Sequence, residues 1–220
     1  DREWMARFLE HRIADKRVLR LIQKWLASGV IEDGVWSDEG KGTPQGASVS
    51  PLLANVYLHY VIDLWAKAWR NRHATGDMVI VRFADDVVVG FQHEGDARRF
   101  QDELGQRLAK FGLELAEDKT RLIEFGRFAA DNRRRRGLGK PETFTFLGLV
   151  HICSTTRNGG FLLRRHTMAQ RMRAKLREIN LALKRRRHLP LDVQGACLAS
   201  VVRGYFAYHA VPTNSQAMWR

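Results

Sequence analysis

A chain of 220 residues and 25.3 kDa can bury one large core or two modest ones. With 45% hydrophobic and 28% charged residues it has an ordinary globular composition, and no run of about 18 apolar residues offers a membrane-spanning helix. The net charge of +13 is unevenly placed: residues 1–125 carry 18 Lys and Arg against 20 Asp and Glu, residues 126–220 carry 19 against 4. So one-sided a charge points to a polyanion partner, nucleic acid before an anionic membrane surface, since a merely solubilising surface mixes signs.

In chain order, residues 4–28 read as helical, with Leu19, Ile22 and Leu26 at helical spacing and Gly29 as a stop. Residues 30–36 are extended, and a Gly/Pro loop covers 41–46. Ser50 suits a helix N-cap and Pro51 the first turn, followed by an apolar face of Leu52, Leu53, Val56, Tyr57, Tyr60 and Leu64. Two β-branched runs, 78–83 and 87–91, flank Ala84-Asp85-Asp86 and predict a hairpin. Residues 95–111 predict an amphipathic helix with Phe100, Leu104, Leu108 and Phe111 on one stripe. Strands are expected at 120–125, 143–152 and 161–165, and residues 126–141, with Arg133 to Arg136 in a row, read as an exposed basic loop. A basic helix over 168–187 and a more apolar one over 192–208 complete the chain, with a domain boundary near 165. Cys153 and Cys197 form no Cys-x-x-Cys pair and have no spaced histidine partners, so neither structural zinc nor a disulfide framework is expected, and a reducing cytoplasm fits.

Asp85 and Asp86 at the tip of an apolar hairpin are the sharpest chemical feature. Clustered carboxylates hold the Mg²⁺ ions of two-metal phosphoryl transfer, whereas an isolated Asp-Asp dipeptide more often just makes a turn. The surrounding sequence tips the balance. Phe83-Ala84-Asp85-Asp86 resembles the Tyr-x-Asp-Asp box of reverse transcriptases. Residues 42–58, containing Pro44-Gln45-Gly46 and Ser50-Pro51-Leu52-Leu53-Ala54-Asn55, resemble a segment of the group II intron enzymes of bacteria. Glu117-Asp118-Lys119-Thr120 is similar to that family's lysine motif, Phe146-Leu147-Gly148 to its primer-grip motif, and Arg203-Gly204-Tyr205-Phe206-Ala207-Tyr208 with Asn214 to the start of its maturase thumb.

The resemblance implies an α+β fold: a palm of antiparallel strands packed on helices over 1–165, then the start of a helical thumb over 166–220. It implies an RNA-directed DNA polymerase that also serves as an intron maturase, with RNA template, DNA primer, deoxynucleoside triphosphates and group II intron RNA as partners. No membrane partner is implied, and a ribonucleoprotein in the bacterial cytoplasm is. Asp85 and Asp86 would bind two Mg²⁺ ions, Gln45, Phe83 and Ala84 would border the nucleotide, Lys119 would serve the triphosphate, and Leu147 and Gly148 would meet the primer. Taken singly these have plainer readings: a turn glutamine, a core aromatic, a surface lysine, a strand-end glycine. Phe83 stands where most of the family carries Tyr, which removes a hydroxyl but leaves metal binding intact. Asp1-Arg2-Glu3-Trp4-Met5 resembles the end of the segment that carries a third metal-binding aspartate, which places that residue, and the fingers, before residue 1. The alternatives are an RNA-binding splicing cofactor with an idle polymerase site, or a reverse transcriptase of a retron, diversity-generating element or CRISPR locus.

Overall fold

The computed structural model describes residues 1–27, 30–32, 35–37 and 49–218. They form two compact units, Asp1–Leu122 and Ile123–Arg220.

In the first unit, helix α1 (Arg2–Glu10) starts on Asp1, whose carboxylate accepts from the Glu3 and Trp4 amides at 2.8 and 3.1 Å. The single helix expected over 4–28 is two. The chain leaves the helix after Glu10, and α2 (Lys16–Ala27) restarts where the Asp15 carboxylate accepts from the Arg17 amide at 2.8 Å. An aspartate that caps a new helix competes with continuing the old one. Met5, Phe8 and Leu9 of α1 and Ile22 and Leu26 of α2 enter one core on either side of the break. The extended stretch is a small antiparallel pair, β1 (Val30–Glu32) with β2 (Val35–Ser37).

Helix α3 (Ser50–Leu58) continues through a π-helical turn (His59–Asp63) into α4 (Leu64–His73). Val49 takes the N-cap position expected for Ser50, so Ser50 and Pro51 open the first turn. Of the expected apolar face, Leu53 and Tyr57 are buried, while Leu52 and Leu64 are 64% and 46% exposed. The π turn accounts for Leu64: one extra residue rotates everything after it, bringing Val61, Ile62, Ala66 and Trp69 inward and turning Leu64 out, whereas Leu52, ahead of the turn, lies off the buried Leu53–Tyr57 face of α3. The guanidinium of Arg107 donates to the Val61 and Tyr60 carbonyls in this turn at 3.1 and 3.3 Å. Its burial pulls its pKa down.

Strands β3 (Met78–Phe83) and β4 (Asp86–Phe91) pair antiparallel, Met78 opposite Phe91 and Phe83 opposite Asp86. Helix α5 (Glu94–Lys110) buries the predicted stripe of Phe100, Leu104 and Leu108, with Phe111 just beyond its end. Phe100 meets Trp69 edge-on at 5.0 Å between ring centroids and Phe91 at 5.3 Å, so one ring joins α4, α5 and β4. Tyr57 donates its hydroxyl to the Phe111 carbonyl at 2.6 Å, and burial raises its pKa. Asp96, buried at the start of α5, accepts from the Thr75 amide and hydroxyl at 2.7 and 2.9 Å, bonds that lower its pKa.

Where the chain passes from the first unit to the second, the strand expected at 120–125 does not form; those residues join no ladder among the described residues. Apolar, β-branched residues need a neighbouring edge to become a strand. Here Thr120 instead donates its hydroxyl and amide back to the Ala116 carbonyl, and Glu124 pairs with Arg136. The expected basic loop contains a short helix, α6 (Ala129–Arg135), with Arg133, Arg134 and Arg135 in its last turn, where cations suit the helix dipole. The strand expected over 143–152 is split by a turn at Leu147 and Gly148 into β5 (Phe144–Phe146) and β6 (Leu149–Thr155). With β7 (Phe161–Thr167) they form a three-stranded antiparallel meander. Helices α7 (Ala169–Arg185), α8 (Leu191–His209) and α9 (Ser215–Met218) follow, the first two as predicted.

Asn214 ties the end of α8 to the end of β7. It is fully buried; its Oδ1 accepts from the Thr167 amide at 2.9 Å, and its Nδ2 donates to Thr167 Oγ1 at 2.8 Å and the His209 carbonyl at 2.7 Å. Replacing Asn214 with Ala leaves these buried groups without partners. It should destabilise the second unit by about 1–3 kcal/mol in a denaturant titration, and an unchanged midpoint would contradict this role.

Candidate active site

The β3–β4 hairpin closes through a two-residue turn, Ala84-Asp85, with Ala84 at a φ of +52°. A left-handed alanine costs roughly 1 kcal/mol or more and persists only where its surroundings hold it. Asp85 and Asp86 are exposed, and neither carboxylate has a hydrogen-bond or ion-pair partner among the described residues. Phe83 is 62% exposed on the same face as Val79 and Val81, so it is no core aromatic of this unit. Strand alternation sends Met78, Ile80 and Arg82 the other way, towards the helices.

Arg82 is the centre of the arrangement. Its Nε and Nη2 each donate to a different oxygen of Asp63 at 2.7 Å, across from the π turn. Its Nη1 donates to Asn55 Oδ1 at 2.9 Å and to the Ala84 carbonyl at 2.8 Å. Asn55 is oriented in turn by donating Nδ2 to the Pro51 carbonyl at 3.0 Å, and His59 Nδ1 lies 3.3 Å from Asp63. The Arg82 hydrogen bonds hold Asp63 below the usual carboxylate range, and Asp63 raises Arg82. Sequence reasoning passed over Arg82, Asn55 and Asp63 as site residues. The available signal was their position: Arg82 immediately precedes Phe83-Ala84-Asp85-Asp86, and Asn55 ends the Ser50–Asn55 stretch.

The other predicted site residues are more scattered. Lys119 is exposed in a tight turn, its amide donating to the Ala116 carbonyl at 3.1 Å, and no described contact joins it to the Asp85 turn. Gln45 lies outside the described residues. Leu147 and Gly148 belong to the second unit, where both have positive φ, +49° and +78°. That turn is held by the Tyr208 hydroxyl donating to the Leu147 carbonyl at 2.9 Å and the Met168 amide donating to the Gly148 carbonyl at 3.1 Å. Glycine is favoured at 148 by its φ; a Cβ there would sit 2.7 Å from Arg171 Nη1, the end of a side chain that can swing aside. In the arginine run, Arg133 bonds the Gly139 carbonyl, Arg134 faces Asp131 at 3.3 Å and Arg136 pairs with Glu124.

Two exposed, unengaged carboxylates on a fixed turn are donors of the kind Mg²⁺ takes, hard oxygens with room for waters and substrate phosphates. They fit such an ion as part of a ligand set; no cluster of three or more His, Cys, Asp or Glu forms among the described residues. No helix of the described residues is long and apolar enough to cross a membrane.

Known proteins place this geometry in a family context. Residues 2–151 match the model of the reverse transcriptase (RNA-dependent DNA polymerase) family. The chain is 26% identical, over 94% of its length, to an uncharacterized 91 kDa protein in the cob intron of Schizosaccharomyces pombe, and covers 32% of that protein. A 48-residue stretch, 22% of the chain, is 46% identical to the group II intron-encoded protein LtrA of Lactococcus lactis subsp. cremoris, over 8% of its length. Protein YkfC of Escherichia coli K12 is 34% identical over 54% of the chain and 38% of its own length. The chain therefore spans only about a third of the cob-intron relative and less of LtrA.

The Asp63–Arg82 pair makes stability pH-dependent in a definite direction. Because the folded-state pKa of Asp63 is lowered, its contribution is complete above the unfolded value and is lost as pH falls below about 4, through the folded value. Asp63→Asn should lower the melting temperature at pH 7, and its further loss between pH 5 and pH 2.5 should be shallower than in the unsubstituted chain. Parallel acid profiles would rule out this pair as a source of acid sensitivity.

Proposed function

The chain belongs to the reverse transcriptase (RNA-dependent DNA polymerase) family, and from that premise we propose that it forms the palm, over 1–165, and the start of the thumb, over 166–220, of an RNA-directed DNA polymerase. In this reading it is encoded by a group II intron of a bacterium, works as a maturase on its own intron RNA, and resides with that RNA in the cytoplasm. The observation that carries the polymerase assignment is the Asp85-Asp86 turn: two carboxylates with no partner among the described residues, while Asp63, beside it, is spent on Arg82. The intron assignment rests on the named relatives.

Asp85 and Asp86 would hold the divalent cations. Bound there, two Mg²⁺ ions would supply Lewis-acid stabilisation of the attacking 3′-oxygen and the departing pyrophosphate. Phe83 offers an exposed apolar ring beside the carboxylates for the nucleotide or primer end, with Ala84 presenting only backbone there. Gln45 contributes an amide to the incoming nucleotide, and Lys119 a positive charge or a proton to the leaving pyrophosphate. Leu147 and Gly148 present their turn to the primer backbone. The excess of cations over 126–220 binds template, primer and intron RNA through phosphates.

The roles separate by experiment in the whole protein that carries this chain. Asp85→Ala should reduce primer extension by about 1,000-fold or more, since it removes several kcal/mol of charge stabilisation, while RNA affinity stays within about two-fold of normal. Wild-type extension by this variant would refute the metal-site assignment; no extension by the unsubstituted protein would favour a splicing cofactor with an idle site. RNA affinity should also fall steeply between 50 and 200 mM salt, by about 10³-fold if some six phosphate contacts are made, and a flat response would refute the phosphate contacts.

A further inference from the structure

We propose that Arg82 is a positioning residue for metal binding: anchored on Asp63 and Asn55, its guanidinium holds the Ala84 carbonyl and so fixes the turn that presents Asp85 and Asp86. The inference rests on the polymerase reading and adds to it a residue that touches neither substrate nor ion.

Adjacent carboxylates on a two-residue turn repel each other, and nothing among the described residues neutralises them. Repulsion favours splaying, and the left-handed Ala84 backbone is itself strained. The turn therefore needs an external restraint to keep one geometry before cations arrive. Beyond the strand ladder, the hydrogen bond from Arg82 Nη1 to the Ala84 carbonyl supplies it. Its precision comes from the other side of the guanidinium. Asp63 takes Nε and Nη2 in a two-pronged pair, which fixes the plane of the group, and Asn55 takes Nη1 at 2.9 Å. Asp63 lies in the π turn and Asn55 in α3, both on the helix that carries Val61, Ile62 and Trp69 into the core. The turn is thereby referenced to a helix anchored in the core of its unit. The Arg82 side chain is only 12% exposed, so little solvent competes for these bonds.

Geometry, not charge alone, is what this arrangement requires. Lysine keeps the charge but lacks the planar fork, so it cannot hold Asp63 with two bonds while reaching Asn55 and Ala84 with another nitrogen. A misplaced carboxylate pair weakens Mg²⁺ more than it weakens nucleic acid, because Mg²⁺ demands near-ideal octahedral geometry.

The test is primer extension by the whole protein, at saturating primer–template and nucleotides, with Mg²⁺ varied. In Arg82→Lys the Mg²⁺ concentration for half-maximal rate should rise about 10-fold or more, the usual consequence of losing a group that orients metal ligands. Primer–template affinity should remain unchanged. Asn55→Ala should give a smaller rise in the same direction. That site is exposed on a helix and alanine is the strongest helix former, so the fold should survive, and a melting curve verifies it. A purely structural role would lower the maximal rate with the active fraction and leave Mg²⁺ half-saturation untouched. Unchanged half-saturation in both variants, with an active unsubstituted protein, overturns the role of Arg82 while leaving the polymerase reading intact. If Arg82→Lys does not fold, Asn55→Ala alone decides by the same criterion. Absence of extension by the unsubstituted protein at every Mg²⁺ concentration overturns the polymerase reading and this inference with it.

Discussion

The two-pronged ion pair between Asp63 and Arg82 is the constraint on which the site depends, because it is where the helical core of the first unit takes hold of the hairpin. A two-stranded hairpin has marginal stability by itself. This one is packed from one side by Met78, Ile80 and Phe91 against the core and pinned near its tip by a charged bond. The apolar contacts set where the strands lie, and the ion pair sets where the turn points. Hydrophobic burial is non-directional and could not do the second job. A hydrogen-bonded guanidinium can, since its donors lie in one plane at fixed angles.

That pair exists because the long helix is irregular. The π turn at His59–Asp63 places Val61 and Ile62 side by side in the core, and Asp63 one residue later at the strand. A widened turn leaves carbonyls poorly bonded within the helix, and Arg107 from α5 donates to two of them. Two arginines thus stabilise the same irregularity, Arg107 through its backbone and Arg82 through its acidic side chain. Both are cations drawn out of water, and in each the loss of solvent is offset by several directed hydrogen bonds.

The carboxylates of the first unit divide into spent and unspent groups. Asp1, Asp15 and Asp96 satisfy backbone amides at the starts of helices or in turns, Glu103 accepts from the Trp69 indole, and Asp63 holds Arg82. Asp85 and Asp86 do none of these things. Paired anions left in solvent repel and lower stability slightly, a cost that the cations of the proposed site would offset. In the second unit the Leu147–Gly148 turn shows the same construction in neutral form: positive φ at a non-glycine residue, held by a side-chain hydroxyl from α8.

Much of this was legible in the sequence. A period-3.6 stripe located α5, a basic and a more apolar run located α7 and α8, β-branched runs located the β3–β4 hairpin, and Asp85 and Asp86 stood out as charges at the tip of an otherwise apolar hairpin. The charge asymmetry and the order of the short motifs pointed to the family that the comparison with known proteins then established. These are local properties, carried by residues a few positions apart. What the sequence could not decide was long-range. The break at residues 11–15 leads into two short helices sharing one core, and residues 120–125 pair with no strand edge among the described residues. Leu64 turns outward because a π turn shifts the helical phase, which periodicity alone does not reveal. Arg82 reads in sequence as one more cation among 37. Only folding, which brings residues 55, 63 and 84 around it, makes it the residue that aims the two carboxylates, because a hydrogen bond depends on position in space and not on separation along the chain.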